Sequence, residues 1–184
     1  MNVPRTYSDW IHCFERLKEG NKDDQVISTM EKGSIEWTKG VSERFTEQLF
    51  AVLEYRLKQS GEQLQRNLNN SKGNKSHIAK ALLDARKRLS ILNRVAMLPA
   101  LPENVRETMK NVIKDFAGKT MKSLEESAKS DRTGHLGMEI KKNSLLKFED
   151  LSNYQSSSHV QPNLHSESIG APPNKQKGRR IILP

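Results

Sequence analysis

The chain has 184 residues, with 31 Lys and Arg against 22 Asp and Glu for a net charge of +9, and only 34% of it is hydrophobic and 5% aromatic. That length holds one domain and a tail; no apolar run approaches the roughly 20 residues of a membrane span, and the polar first residues do not resemble a secretory signal. One cysteine, Cys13, closes no internal disulfide and completes no zinc-finger ligand set, so a basic cytoplasmic protein is expected.

Helical punctuation dominates to about residue 130. Thr6 with Asp9 three positions on has the form of a capping box, in which each side chain satisfies the other's free backbone donor. Trp10, Phe14 and Leu17 then share one face, and Gly20 is a natural stop. Asp23 and Asp24 favour a second, short helix, because carboxylates are stabilised at the positive end of the helix dipole. Val26, Ile27 and Met30 supply its apolar side before Gly33. Ile35 and Trp37 form either an extra turn or a staple onto the next helix.

The third segment is long. Val41, Phe45, Leu49, Val52, Leu53 and Leu57 recur at three- and four-residue steps, and Leu64 and Leu68 extend the row past Gly61, where a bend or fraying is expected. Residues 69–75 read as a loop. Ser76 is the predicted N-cap of a fourth helix with the stripe Ile78, Leu82, Ala85, Leu89, Leu92 and Ala96. Pro99 and Pro102 bracket a sharp turn, and Pro102 suits the first position of a fifth helix. Val105, Met109, Val112, Phe116, Met121, Leu124 and Ala128 form its apolar row, weakened in the middle by Gly118.

Beyond residue 131 the pattern fails, apart from a short amphipathic helix predicted near 138–151. Ser, Asn, Gln, Pro and His dominate the remaining residues, a composition that buries too little apolar surface to offset chain entropy of about 1–2 kcal/mol per residue. The expected architecture is an all-α helical bundle over 5–130, with long antiparallel helices, and a disordered basic C-terminal tail over 131–184.

Catalytic constellations are hard to assemble. A di-metal carboxylate site needs Glu-x-x-His pairs, yet the positions three before His12, His77, His135, His159 and His165 are Asp9, Asn74, Arg132, Ser156 and Pro162. Gly73-Asn74-Lys75-Ser76 resembles the end of a phosphate-binding loop but lacks the glycine before lysine and the upstream strand, so it reads as a turn with a cap. His12 and Cys13 are adjacent and point about 100° apart on a helix, so they make no nucleophile pair. No metal or cofactor is expected, and the chain reads as non-catalytic.

Charge is the stronger lead. Residues 1–75 carry net +1, residues 76–130 net +5, and residues 131–184 net +3. Lys80, Lys87, Arg88 and Arg94 lie on the fourth segment; Arg106, Lys110 and Lys114 form an i,i+4 ridge on the fifth, where like charges repel by roughly a few tenths of a kcal/mol. An acidic partner would relieve that ridge: an acidic protein surface, a phosphate backbone or membrane headgroups. At the C-terminus, Arg179, Arg180, Ile181 and Ile182 suit docking as a short motif by strand addition. Arg86-Lys87-Arg88-Leu89-Ser90 also has the form of a basophilic kinase site. The function expected is a regulatory or adaptor protein binding another macromolecule through its helical surface or its tail. The alternative is sequence-nonspecific nucleic-acid binding by the basic face of 80–122, and a second copy of the chain is a further candidate partner for so lean a core.

Overall fold

A computed structural model describes residues 2–143 together with Leu151, and every regular element among them is a helix. In chain order these are α1 (Tyr7–Glu19), α2 (Asp23–Met30), α3 (Lys39–Asn70), α4 (Lys75–Val95), α5 (Glu103–Ser130) and α6 (His135–Asn143). The all-α class expected from the periodicity is the class observed. None of these helices is long and apolar enough to cross a membrane.

Local chemistry explains most of the boundaries. Both halves of the capping box at Thr6 and Asp9 are formed, and the amides of Thr6 and Arg5 and the Thr6 hydroxyl all donate to the Asp9 carboxylate, holding its pKa below the usual carboxylate value. Gly20 ends α1 in the left-handed region at φ 75°. At the start of α4 the cap is Asn74, whose side-chain oxygen accepts the His77 amide, and not Ser76, which lies inside the first turn. Asn74 is the residue with extended backbone and a side chain that reaches back to a free donor. Pro102 sits one position earlier than expected, as the N-cap of α5.

Two sequence expectations about helix interiors are corrected by packing. α3 runs unbroken through Gly61, because the glycine lies against α5: a Cβ there would stand 3.3 Å from Cζ of Phe116. The glycine therefore marks a close helix contact and not a break. On α5 the buried seam is Val105, Met109, Ile113, Ala117 and Leu124, while Val112, Phe116, Met121 and Ala128 are only half-buried at its edge. A wide apolar row flanks a narrower contact line, and only the neighbouring helices select which side faces inward.

α3 is the spine of the bundle, packing on α1, α4 and α5. The short loops 71–74 and 96–102 make α3, α4 and α5 successive antiparallel neighbours. Around the start of α3 the aromatic residues interlock: Phe45 meets Trp10, Phe14 and Trp37 edge-on, with ring centroids 5.0–5.4 Å apart. Both indole groups are satisfied at distant carbonyls. Trp10 Nε1 donates to Ser34 at 3.0 Å and Trp37 Nε1 to Ala100 at 3.0 Å. Trp37 thereby ties the segment before α3 to the turn between α4 and α5.

The last described helix, α6, packs on α4 and α5 through Leu136 and Ile140. Asp131, the C-cap of α5, organises the turn before it, accepting the amides of Leu136 and Thr133 and the Thr133 hydroxyl, which holds its pKa low. His135 Nδ1 lies 2.8 Å from the Gly73 carbonyl, linking this turn to the α3–α4 loop. The helix expected near 138–151 thus begins at His135, and residues 144–150 lie outside the described residues.

Cys13 is fully buried in this core, and burial, with the nearby Asp9 carboxylate second, pushes its thiol from an ordinary 9.0 up to about 11. That shift cuts the thiolate fraction about a hundredfold at neutral pH. Thiol-specific reagents are therefore expected to leave the native chain unmodified at about pH 8 and to label it within the mixing time once denatured. Rapid labelling of the native protein would place Cys13 at the surface.

Candidate functional site

A polar concavity lies where the α1–α2 corner meets α3 and α4, and it is built on a buried ion pair. Arg56 of α3 and Asp23 of α2 are joined at 2.6 Å, with only 8% and 10% of their side chains exposed. Gly20 makes room for the guanidinium, since a Cβ at that position would collide with Arg56 Nη1. Asp23 Oδ2 accepts from Arg56 Nη2, while Oδ1 is buried with no hydrogen-bond partner among the described residues. A buried carboxylate so placed depends on its one cation for compensation.

Above this pair is an open groove of about 780 Å³. The α1–α2 corner contributes Glu19 and Lys22; α3 contributes Tyr55, Arg56, Lys58 and Glu62; α4 contributes Asp84, Lys87 and Arg88. Tyr55 is 40% exposed, with its ring under Lys18 Nζ at 5.0 Å from the centroid and its hydroxyl accepting from Gln59 at 2.7 Å. The lining is mixed in charge, but its ion pairing is uneven. Lys22, Lys58, Lys87 and Arg88 pair with no carboxylate among the described residues.

Three other cations singled out by charge patterning, Arg94, Arg106 and Lys110, are neutralised within the chain. Arg94 bridges Asp24 at 2.7 Å and Glu31 at 3.1 Å, clamping α4 to both ends of α2. On α5, Arg106 pairs with Glu103, Lys110 with Glu107 at 2.7 Å and Lys119 with Asp115 at 2.7 Å. The Lys110 ammonium also holds Glu107 below the usual carboxylate pKa. The Arg106–Lys110–Lys114 ridge is therefore two compensated positions and one free one, because carboxylates three residues back lie within reach. Lys114 and Lys122 remain unpaired among the described residues and flank a shallow depression on α5 with Lys119 and Asp115. Lys80 is exposed near the start of α4 and unpaired among the described residues.

Ser90 is completely buried and donates to the Leu151 carbonyl at 3.3 Å, so the kinase-like motif ends on a residue inaccessible to a kinase. His12 is exposed and 3.4 Å from Glu15, on a different face from the buried Cys13. Among the described residues no three His, Cys, Asp or Glu converge as a metal site. Arg179, Arg180, Ile181 and Ile182 lie outside the described residues. The Arg56–Asp23 pair was missed from sequence; its one signal is an arginine on the otherwise apolar face of α3, four residues after Val52. Comparison of the chain with protein-family models, curated proteins and solved structures finds no match.

Proposed function

We propose that this protein is a non-catalytic adaptor or regulator that binds another macromolecule through its helical surface, with the basic segment 175–184 as a second contact. The supporting observation is the division of its cations. Arg94, Arg106, Lys110 and Lys119 spend their charge on the protein's own carboxylates, whereas Lys80, Lys87, Arg88, Lys114 and Lys122 pair with none among the described residues. Unpaired surface cations on a chain of net charge +9 favour an anionic partner and speed its encounter.

A second reading, sequence-nonspecific nucleic-acid binding, draws on the α5 depression, where Lys114, Lys119 and Lys122 share the lining with a single acid among the described residues, Asp115. One experiment separates the two. The full-length chain and a chain ending at residue 174 are purified at low and high salt, and whatever accompanies them is identified. The adaptor reading expects a defined protein that is retained in stoichiometric amount and diminished by the truncation. Recovery of nucleic acid alone, with a mobility shift at about 50 mM salt that fades steeply as salt rises, would replace it with the second reading.

A further inference from the structure

We propose that the groove between the α1–α2 corner, α3 and α4 is the docking site, and that its ligand is an acidic polypeptide segment of a protein partner. The proposal rests on the macromolecule-binding reading and gives it a place and a chemistry. Lys87 and Arg88 of α4 and Lys58 of α3 line the groove without a carboxylate of their own among the described residues. They are the groups available to take carboxylates from outside. Tyr55, among the few large apolar side chains left exposed, stands in the same lining. An exposed tyrosine beside unpaired basic residues, over a rigid floor, is the composition from which protein-binding hot spots are made.

The floor supplies the rigidity. Arg56 is locked by Asp23 and seated against Gly20, so α3 and the α1–α2 corner are joined before any ligand arrives. Pre-organisation of this kind reduces the ordering cost of association.

The acids in the lining decide between classes of polyanion. Glu19, Glu62 and Asp84 share the groove with the cations. A nucleic-acid strand brings a phosphate at every step, and several of those would face fixed carboxylates. A polypeptide presents acidic side chains where Lys87 and Arg88 wait, and amides or hydroxyls elsewhere. The lining is more polar than apolar, so charge and hydrogen bonding lead the specificity, and the association weakens with salt.

The test uses the full-length chain and three fluorescein-labelled probes of equal length: a peptide of Glu, Ala and Leu, the same peptide with Gln for Glu, and a single-stranded oligonucleotide. Anisotropy is recorded at low salt. The acidic peptide is expected to bind and the Gln peptide to bind at least about tenfold more weakly. K87Q/R88Q and Y55A are each expected to weaken the acidic peptide about tenfold or more, whereas K32Q/K129Q, on exposed lysines outside the groove, leaves it within about twofold. Thermal melts matching the parent show that these surface variants are folded. Unchanged peptide affinity in both K87Q/R88Q and Y55A would overturn the groove assignment while leaving macromolecule binding intact. Oligonucleotide binding that displaces the peptide and is lost in the same variants would overturn the polypeptide ligand, and binding of neither probe would overturn the acidic chemistry.

Discussion

Phe45→Ala is expected to destabilise the protein by about 3–5 kcal/mol. Phe45 is completely buried and is the ring on which Trp10, Phe14 and Trp37 converge. Removing it loses the transfer energy of the ring, the edge-to-face contacts worth about 0.5–1.5 kcal/mol each, and leaves a cavity that three other aromatic groups cannot readily close. A stability of about 5–15 kcal/mol, usual for a domain, would be reduced by about a fifth or more. The chain's two tryptophans both touch this ring, so fluorescence reads the change directly. A lowered denaturation midpoint is expected together with altered native emission. A loss below about 1 kcal/mol would mean that the aromatic cluster is not the organising core of the N-terminal half.

Arg56→Ala is expected to cost a comparable amount, about 3–5 kcal/mol, for an electrostatic reason. The substitution strands Asp23, whose side chain is only 10% exposed and whose Oδ1 is already without a partner. The carboxylate must then be protonated, find water or pull the N-terminus of α2 outward. The diagnostic variant is the double replacement Asp23→Leu with Arg56→Met, since a buried pair exchanged for apolar groups of similar size is often neutral or stabilising. Recovery of most of the lost stability in the double variant, measured by chemical denaturation, is the expected result. Additive losses would show that Arg56 acts through packing on Gly20 and α1 instead of through its charge.

The two sites show how differently core and groove are written in the chain. Phe45 was legible because it belongs to a periodic row, and a row of apolar residues at helical spacing has to be buried somewhere. Its partners were legible only as other apolar residues; that Trp37, from the segment before α3, and Trp10, from α1, meet on it depends on how the elements fold together. The charged residues behaved in the opposite way. Counting them found the basic stretch after residue 75, but spacing alone made Arg106, Lys110 and Lys114 one ridge. Glu103 and Glu107 compensate the first two, a local pairing that was readable at i,i+3. The clamping of Arg94 by Asp24 and Glu31 was not, because it joins residues separated by some 60 to 70 positions.

Gly61 and Ser90 differ from their local appearance for the same reason. A glycine in a helical pattern reads locally as a weak point, and a serine after three basic residues reads as a modification site. Their actual roles, a close approach of Phe116 and a buried hydroxyl on Leu151, are set by the groups that lie opposite them.

What the amino-acid sequence determined by itself is the class and the punctuation: helices, their order, most of their ends and most of their buried stripes. These depend on interactions within one or two turns, which neighbouring residues suffice to specify. The net charge of +9 was equally plain, but not its meaning. Only the tertiary structure decided that Arg94 is consumed by the acids around α2, which acid is buried without full compensation, and that the remaining Lys87 and Arg88 share a groove with Tyr55. Pairing and concavity arise between elements distant in sequence, and a one-dimensional pattern carries no record of which distant side chain will stand within a few ångströms.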